Sequence, residues 1–349
     1  MRNKQTYIIG EIGQNHNGSM DLAHKIIDAA AMPVHEDLFD IDLPRLDAVK
    51  LTKRDLNQEL AGSLMKRPYN SPHSFGETYG AHRAFLELDD QQHYELYQYA
   101  KAKGLEFVET LCAIGCLSLL RYFKPDYLKV ASRDLTNHPL LDALAETGIP
   151  MILSTGMADK RELDEALDCI TRHHSKLSIL HCVSEYPTHP ENVNLNTLLF
   201  LQKNYPDFTI GYSDHTIGIS VPVAAVAMGS EIIEKHITLD RELKGTDQRG
   251  SLGPEGIQRM VRDIRLLEMS KGVHDIFQSP DTGSSKKKLA RSIALKRPIK
   301  EGEYISEADI WMLSPGDGFK WVDKDQVIGK KLIGNVAVNE IIYPEMLSE

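Results

Sequence analysis

Residues 209–216 read TIGYSDHT and residues 231–238 read EIIEKHIT, two short apolar runs that each end in a histidine flanked by acidic or hydroxyl side chains. A strand that is apolar along its length and polar at its carboxyl end is the pattern of a parallel sheet whose chemistry sits beyond that end. Working outward, six more such runs precede them: YIIGEIG from 7, DAVKLTK from 47, LEFVETL from 105, YLKVASR from 127, MILSTGM from 151 and LSILHCV from 177. Between most of them lie segments with helical periodicity, such as MDLAHKIIDAAA, QQHYELYQYAKAKG and KRELDEALDCITRHH, and PEGIQRMVRDIRLLEMSKG follows the last. Eight strands with intervening crossovers and a closing helix predict an α/β fold, a (β/α)8 TIM barrel rather than an open doubly wound sheet. The first strand carries no GxGxxG, so a dinucleotide has no support.

Residues 32–46 and 54–90 are longer than a tight barrel connection needs, and both are expected to build the mouth of the barrel. After residue 272, VHDIFQSPDTGSSKKK reads as a polar linker over 273–288, and residues 289–349 as a small β-rich unit. The predicted organisation is therefore a barrel over 1–272, the linker, and the C-terminal unit. Forty Lys plus Arg against 50 Asp plus Glu, a formal charge of −10, argue against nucleic acid or a membrane surface as partner and favour a small molecule. Four cysteines without a paired CxxC pattern, and an N-terminus that runs directly into a strand, predict a reduced cytoplasmic protein.

In a barrel the last residues of every strand converge. Those positions bring together Lys50, Lys129 and Arg133 with Thr110, Ser132, Ser154, Ser184 and Ser213, a set suited to a phosphate or carboxylate ligand. They also gather His215, His236, Glu11 and Asp247, nitrogen and hard oxygen donors that suit one divalent metal such as Mn²⁺ or Mg²⁺. A single strand histidine is ordinarily a hydrogen-bonded core residue. Two at neighbouring strand ends, with carboxylates nearby, set a metal site beside that ordinary role. Lys50 and Lys129 interrupt apolar runs in strands buried on both faces, which favours function over surface charge. Cys112 and Cys116 are spaced for one helical face and read as packing.

Seven ordered motifs carry a resemblance: EIGQNHNGS from 11, AVK from 48, ASRDLTNHPLL from 131, ILSTGM from 152, LHCVSEYPT from 180, GYSDHT from 211 and EKHITLDR from 234. Along essentially its whole length the chain resembles the sialic acid synthase family, including its legionaminic, pseudaminic and spore coat polysaccharide members. SPGDGF from 314 with IGKKL from 328 resembles that family's C-terminal antifreeze-like (SAF, β-clip) domain. The resemblance implies an enzyme, a transferase that condenses phosphoenolpyruvate with an aldose such as N-acetylmannosamine and releases phosphate by C–O cleavage in surface polysaccharide biosynthesis. It implies His215 and His236 as metal ligands, and Glu11, Lys50, Lys129 and Asp247 as catalytic groups. Lys50, Thr110, Lys129, Ser132, Ser154, Ser184 and Ser213 would line the phosphoenolpyruvate pocket; Arg133, Asp134, Tyr186, Asp247 and Ser314 would face the sugar. It further implies a homodimer in which one subunit's C-terminal domain caps the other's barrel.

The chain departs from that pattern at Ser314, where an arginine is usual, at Arg133, where glycine is common, and at Thr52, Leu111 and Cys112. Arg133 would favour an extra carboxylate or phosphate, or pair with Asp134. The acceptor is thus expected to differ from plain N-acetylmannosamine, through an unacetylated, diacetamido or phosphorylated aldose. A metal-dependent barrel aldolase or hydrolase, which also uses strand-end histidines, is the competing enzyme class. A binding-only relative is the other.

Overall fold

The computed structural model describes residues 5–348. Eight parallel strands close into a barrel: β1 (Tyr7–Gly13), β2 (Ala48–Lys53), β3 (Glu106–Leu111), β4 (Tyr127–Val130), β5 (Met151–Ser154), β6 (Leu177–Cys182), β7 (Thr209–Asp214) and β8 (Ile232–His236). These are the eight runs expected from the sequence. Each pairs with its sequence neighbour, and β1 closes the ring by pairing with both β2 and β8.

Strand alternation decides what the barrel encloses. One face of each strand packs outward on the helices: Ile8, Val49, Phe107, Leu128, Leu153, Ile179, Tyr212 and Ile233 belong to the large core that also holds Ile26, Leu96, Leu141, Ile170, Leu198 and Ile264. The other face points into the barrel, where Ile9, Ala48, Val108, Ile152, Leu180 and Ile232 form a separate buried cluster, with Tyr7 and Tyr127 packed against it. Each larger member contributes about 1.5–3 kcal/mol by leaving water. Two residues further along the same faces stand Glu11, Lys50, Thr110, Ser154, Cys182 and Glu234, with Lys129 two beyond Tyr127. The barrel thus holds an apolar plug and, directly above it, a polar floor. Gly211 belongs to the plug because a Cβ there would approach the Ile232 carbonyl oxygen to 2.6 Å.

The helices start on side-chain caps that the sequence supplies. Asp89 with Gln92 and Asp159 with Glu162 form reciprocal capping boxes, and Ser19 caps Met20–Ala30. Residues 32–46 correct an expectation. They form a hairpin, Val34–Glu36 against Ile41–Leu43, that follows the helix Met20–Ala30. A chain that rises through β1 and returns through a helix begins its next connection at the opposite end of the barrel. The hairpin is therefore remote from the mouth, whereas residues 54–90 follow β2 and do reach it.

One compact unit ends at Lys271 and a second begins at Gly272. In the second, β9 (Ser292–Leu295) pairs antiparallel with β10 (Ile310–Leu313), and Ile293, Leu295, Ile299, Ile305, Ile310, Val327, Leu332 and Ile342 form its buried core. The stretch read as a linker carries a short exposed helix, Gly283–Leu289, whose lysines sit in its last turn.

Candidate active site

A cavity of about 280 Å³ opens at the carboxyl ends of the strands. Its floor is charged. Lys50 Nζ lies 2.7 Å from Glu11 and 3.5 Å from Glu234, and Lys129 Nζ lies 3.9 Å from Glu234. Lys129 donates to Ser154 Oγ at 2.6 Å and to the Val130 carbonyl at 3.0 Å, while Lys50 donates to Thr110 Oγ1 at 3.3 Å. Ser213 Oγ donates to Glu234 at 2.9 Å. The buried Oε2 atoms of Glu11 and Glu234 both face Lys50 and, among the described residues, have no other polar partner.

Burial pushes the Glu11 carboxyl up to about 7 against the pull of Lys50, so it exchanges a proton near neutrality. Burial would also raise Glu234, but the Lys129 and Lys50 ammoniums outweigh it and hold that carboxyl below the usual range. Burial lowers Lys129, whereas Glu11 and Glu234 overcome the same effect at Lys50 and raise it. Glu11 and Glu234 thus support the charge of both lysines against burial. An arriving anion competes for them on favourable terms, since it meets donors already desolvated.

At one side of this floor the rings of His215 and His236 lie 5.5 Å apart. His215 Nδ1 is 2.8 Å from the Val183 carbonyl, which accepts its hydrogen and leaves Nε2 as a lone-pair donor. His236 is half-buried, its Nδ1 is shielded from solvent without a hydrogen-bond partner, and desolvation lowers its pKa against the opposing pull of Asp247. An imidazole with an orphaned nitrogen, beside a second whose Nδ1 hydrogen is held by a carbonyl, fits a divalent metal. Among the described residues the compact three-donor group is instead Asp142, Glu146 and His173, partly exposed and outside the cavity. The catalytic-end histidines form a pair whose further ligands would come from elsewhere.

Behind the histidines runs a fully buried network. Lys235 Nζ is 2.6 Å from Asp214 and also donates to the Thr216 carbonyl; Asp214 accepts from Tyr212 Oη at 2.9 Å, Thr216 N at 3.0 Å and Thr216 Oγ1 at 3.1 Å. It ties the residues flanking His215 to the residue preceding His236.

The structure brings Glu11, Lys50, Thr110, Lys129, Ser132 and Arg133 to the cavity wall, together with Ser154, Ser184, Tyr186, Ser213, His215, His236 and Asp247. Tyr186 stacks 4.0 Å from His215. Asp134 is not part of that wall; it is buried, 3.3 Å from Arg133 Nε. Arg133 also lies 3.4 Å from Glu59 and donates to Cys112 Sγ at 3.0 Å. Ser314 belongs to the second unit, where its Oγ donates to the Leu289 carbonyl at 3.0 Å. Sequence reasoning missed Glu234, Arg54, Arg83, Gln14 and Tyr79, all of which line the cavity. Glu234 had a signal, since it lies two residues beyond Ile232 on the inward face; Gln14 and Arg54 come from loops just past strand ends, and Tyr79 and Arg83 from the short helix Tyr79–Phe85 inside a long connection.

Comparison with known proteins places this geometry. The family model described as "NeuB family" matches residues 44–275, and that described as "SAF domain" matches residues 290–348. The chain belongs to the NeuB family. It is 34% identical over 343 residues to human N-acetylneuraminate-9-phosphate synthase, covering 98% of this chain and 92% of that protein. It is 33% identical to the N,N'-diacetyllegionaminic acid synthase of Legionella pneumophila, over 97% of this chain and 94% of the other. Among solved structures, a sialic acid synthetase from Leptospira borgpetersenii in complex with citrate superposes with a TM-score of 0.66 at 32% identity, covering 81% of this chain and 90% of that one. The two family matches fall on opposite sides of the boundary at Lys271, apart from the few residues by which the first overruns it.

Proposed function

We propose that this chain is a phosphoenolpyruvate-dependent condensing synthase, a transferase that joins phosphoenolpyruvate to an aldose and forms a nonulosonic acid. The observation that carries this reading is the pairing, in one cavity, of a two-lysine anion floor with two histidines at neighbouring strand ends. Named synthases among the relatives support it.

Lys50 and Lys129, with Thr110, Ser132, Ser154, Ser184 and Ser213, hold the phosphate and carboxylate of phosphoenolpyruvate. A divalent ion, Mn²⁺ or Mg²⁺, held by His215 and His236 would supply Lewis-acid polarisation of the aldehyde oxygen. Carbon 3 of the enol phosphate then bonds to the aldehyde carbon, whose oxygen takes up the proton that the Glu11 carboxyl carries. Water adds to the cationic carbon 2 and gives its proton to Glu11, whose raised pKa suits a base working near neutrality. The C–O bond to phosphate breaks, the electron pair leaves with phosphate onto the lysines, the proton of the hydroxyl left on carbon 2 passes to that phosphate, and a ketone remains. Tyr186 and Asp247 at the rim, with Arg133 and its partner Asp134, orient the sugar. A homodimer in which each C-terminal unit, bringing Ser314, caps the partner's barrel completes the proposal. Four free, buried cysteines agree with a cytoplasmic setting.

The test is phosphate release from phosphoenolpyruvate with Mn²⁺ across a panel of aldoses and a blank without sugar. Release with one class of sugar is expected. Substrate indifference to phosphoenolpyruvate, with cleavage of another compound, would favour the aldolase or hydrolase class and overturn the proposal.

A further inference from the structure

Above the lysine floor the cavity wall carries three guanidinium groups, Arg54, Arg83 and Arg133. Two are committed to protein carboxylates. Arg54 pairs with Glu59 and lies 3.7 Å from Glu87; Arg133 shares Glu59 at 3.4 Å and Asp134 at 3.3 Å. Arg83 differs. Among the described residues no carboxylate comes within ion-pair distance of it, and the Tyr79 ring centroid lies 5.9 Å from its Cζ. Burial, then the neighbouring Arg54 guanidinium, weigh against its charge and lower its pKa, although Tyr79, Glu59 and Glu87 pull the other way from a distance. Arg54 Nε is in addition buried without a hydrogen-bond partner.

A half-buried arginine that faces a cavity without a counter-ion is costly to keep and ready for an anion. The floor lysines cannot be its explanation, because Glu11 and Glu234 already balance them. Arg54 follows the end of β2, and Arg83 comes from the helix Tyr79–Phe85 in the long connection after it. Both therefore line the cavity from a different wall than the lysine floor. Two charges and three oxygens match two guanidinium forks better than a single carboxylate does. Family membership leaves the matter open, since the human relative's name carries a 9-phosphate and the Legionella relative's name does not.

We propose that the acceptor aldose carries a phosphate ester, and that Arg83, flanked by Arg54, binds that phosphate. This rests on the synthase reading above. Arg83 is a specificity-determining residue here, remote from the atoms that react.

The experiment compares N-acetylmannosamine with its 6-phosphate, and mannose with its 6-phosphate, following release of inorganic phosphate from phosphoenolpyruvate in the full chain with Mn²⁺. The parent protein should favour one phosphorylated sugar over its neutral counterpart by at least about tenfold in kcat/KM. In Arg83→Ala that ratio should fall below about threefold through a raised KM for the phosphorylated sugar, and Arg83→Lys should recover part of it. The KM for phosphoenolpyruvate should move less than about twofold. Equal use of phosphorylated and neutral sugars would overturn the inference and leave the synthase standing. An Arg83→Ala protein whose KM for phosphoenolpyruvate rises as much as that for the sugar would overturn it too, since Arg83 would then serve the floor ligand. Failure to consume phosphoenolpyruvate with any sugar would overturn both.

Discussion

Lys235 offers a demanding test of how the site is held. Its ammonium is fully buried and bonds Asp214 at 2.6 Å and the Thr216 carbonyl, directly behind both histidines. Lys235→Met keeps the length of the side chain and removes the charge, stranding the Asp214 carboxylate with only its three neutral donors. Removing one partner of a buried ion pair costs about 3–5 kcal/mol. For a barrel of this size the unfolding entropy of about 2.1 cal/mol/K per residue makes a loss of about 4 kcal/mol a fall of about 7 °C in midpoint. Replacing Asp214 by Asn as well removes the stranded charge, so the double variant should recover at least about half of that loss. Far-ultraviolet circular dichroism is the readout, because both tryptophans, Trp311 and Trp321, lie in the second unit and their fluorescence is silent about the barrel. A single variant within about 1 kcal/mol of the parent, or a double variant no more stable than the single, would refute the assignment of this pair as the brace of the site.

Three further outcomes follow. His215→Ala and His236→Ala should each weaken Mn²⁺ binding by at least about tenfold in calorimetry, with turnover lost in parallel; undiminished binding would remove them as ligands. In Glu234→Gln, Lys129 loses a carboxylate that supports its charge against burial. A lysine is charged below its pKa, so lowering that pKa should move the alkaline fall in kcat/KM for phosphoenolpyruvate to lower pH than in the parent, and an unmoved limb would exclude Lys129 from that titration. In the second unit, hydrogen bonds from Ser306, then the Arg297 guanidinium, hold Asp309 down at about 2. A depressed carboxyl contributes stability that is complete above its unfolded value of about 3.9 and is lost as pH falls through about 2. Tryptophan fluorescence should therefore show the acid loss of this unit to be shallower in Asp309→Asn than in the parent, and equal slopes would count against it.

The strands were legible because a barrel strand is buried on both faces and must be a short apolar run bounded by turns. The charged and hydroxyl positions were legible for the same reason, since Lys50 and Lys129 have no place in such a run unless something there needs them. Glu234 escaped because attention fell on the last residue of its strand, whereas inward direction repeats every two residues and is counted from Ile232. Arg54 and Arg83 escaped because neither lies on a barrel strand: one follows a strand end and the other sits on a short helix within a long connection, where tertiary contacts carry their side chains to the wall. Asp134 is the converse case, close to the site but not on its wall. It sits beyond a strand end, but Arg133 beside it takes the cavity and draws the carboxylate behind. For residues 32–46, length suggested a role that the up-and-down path of the chain denies.

The plug made by Ile9, Ala48, Val108, Ile152, Leu180 and Ile232 has a kinetic consequence. It seals one end of the barrel, so the cavity has a single door. Lys129 and Ser154 at the far wall are each 2% exposed, whereas Tyr186 near the entrance is 52% exposed. Whatever sits on the lysines must enter before the ligand at the entrance and can leave only after it. In such a vessel the order of filling is set by depth: the ligand of the lysine floor goes in before the one at the entrance.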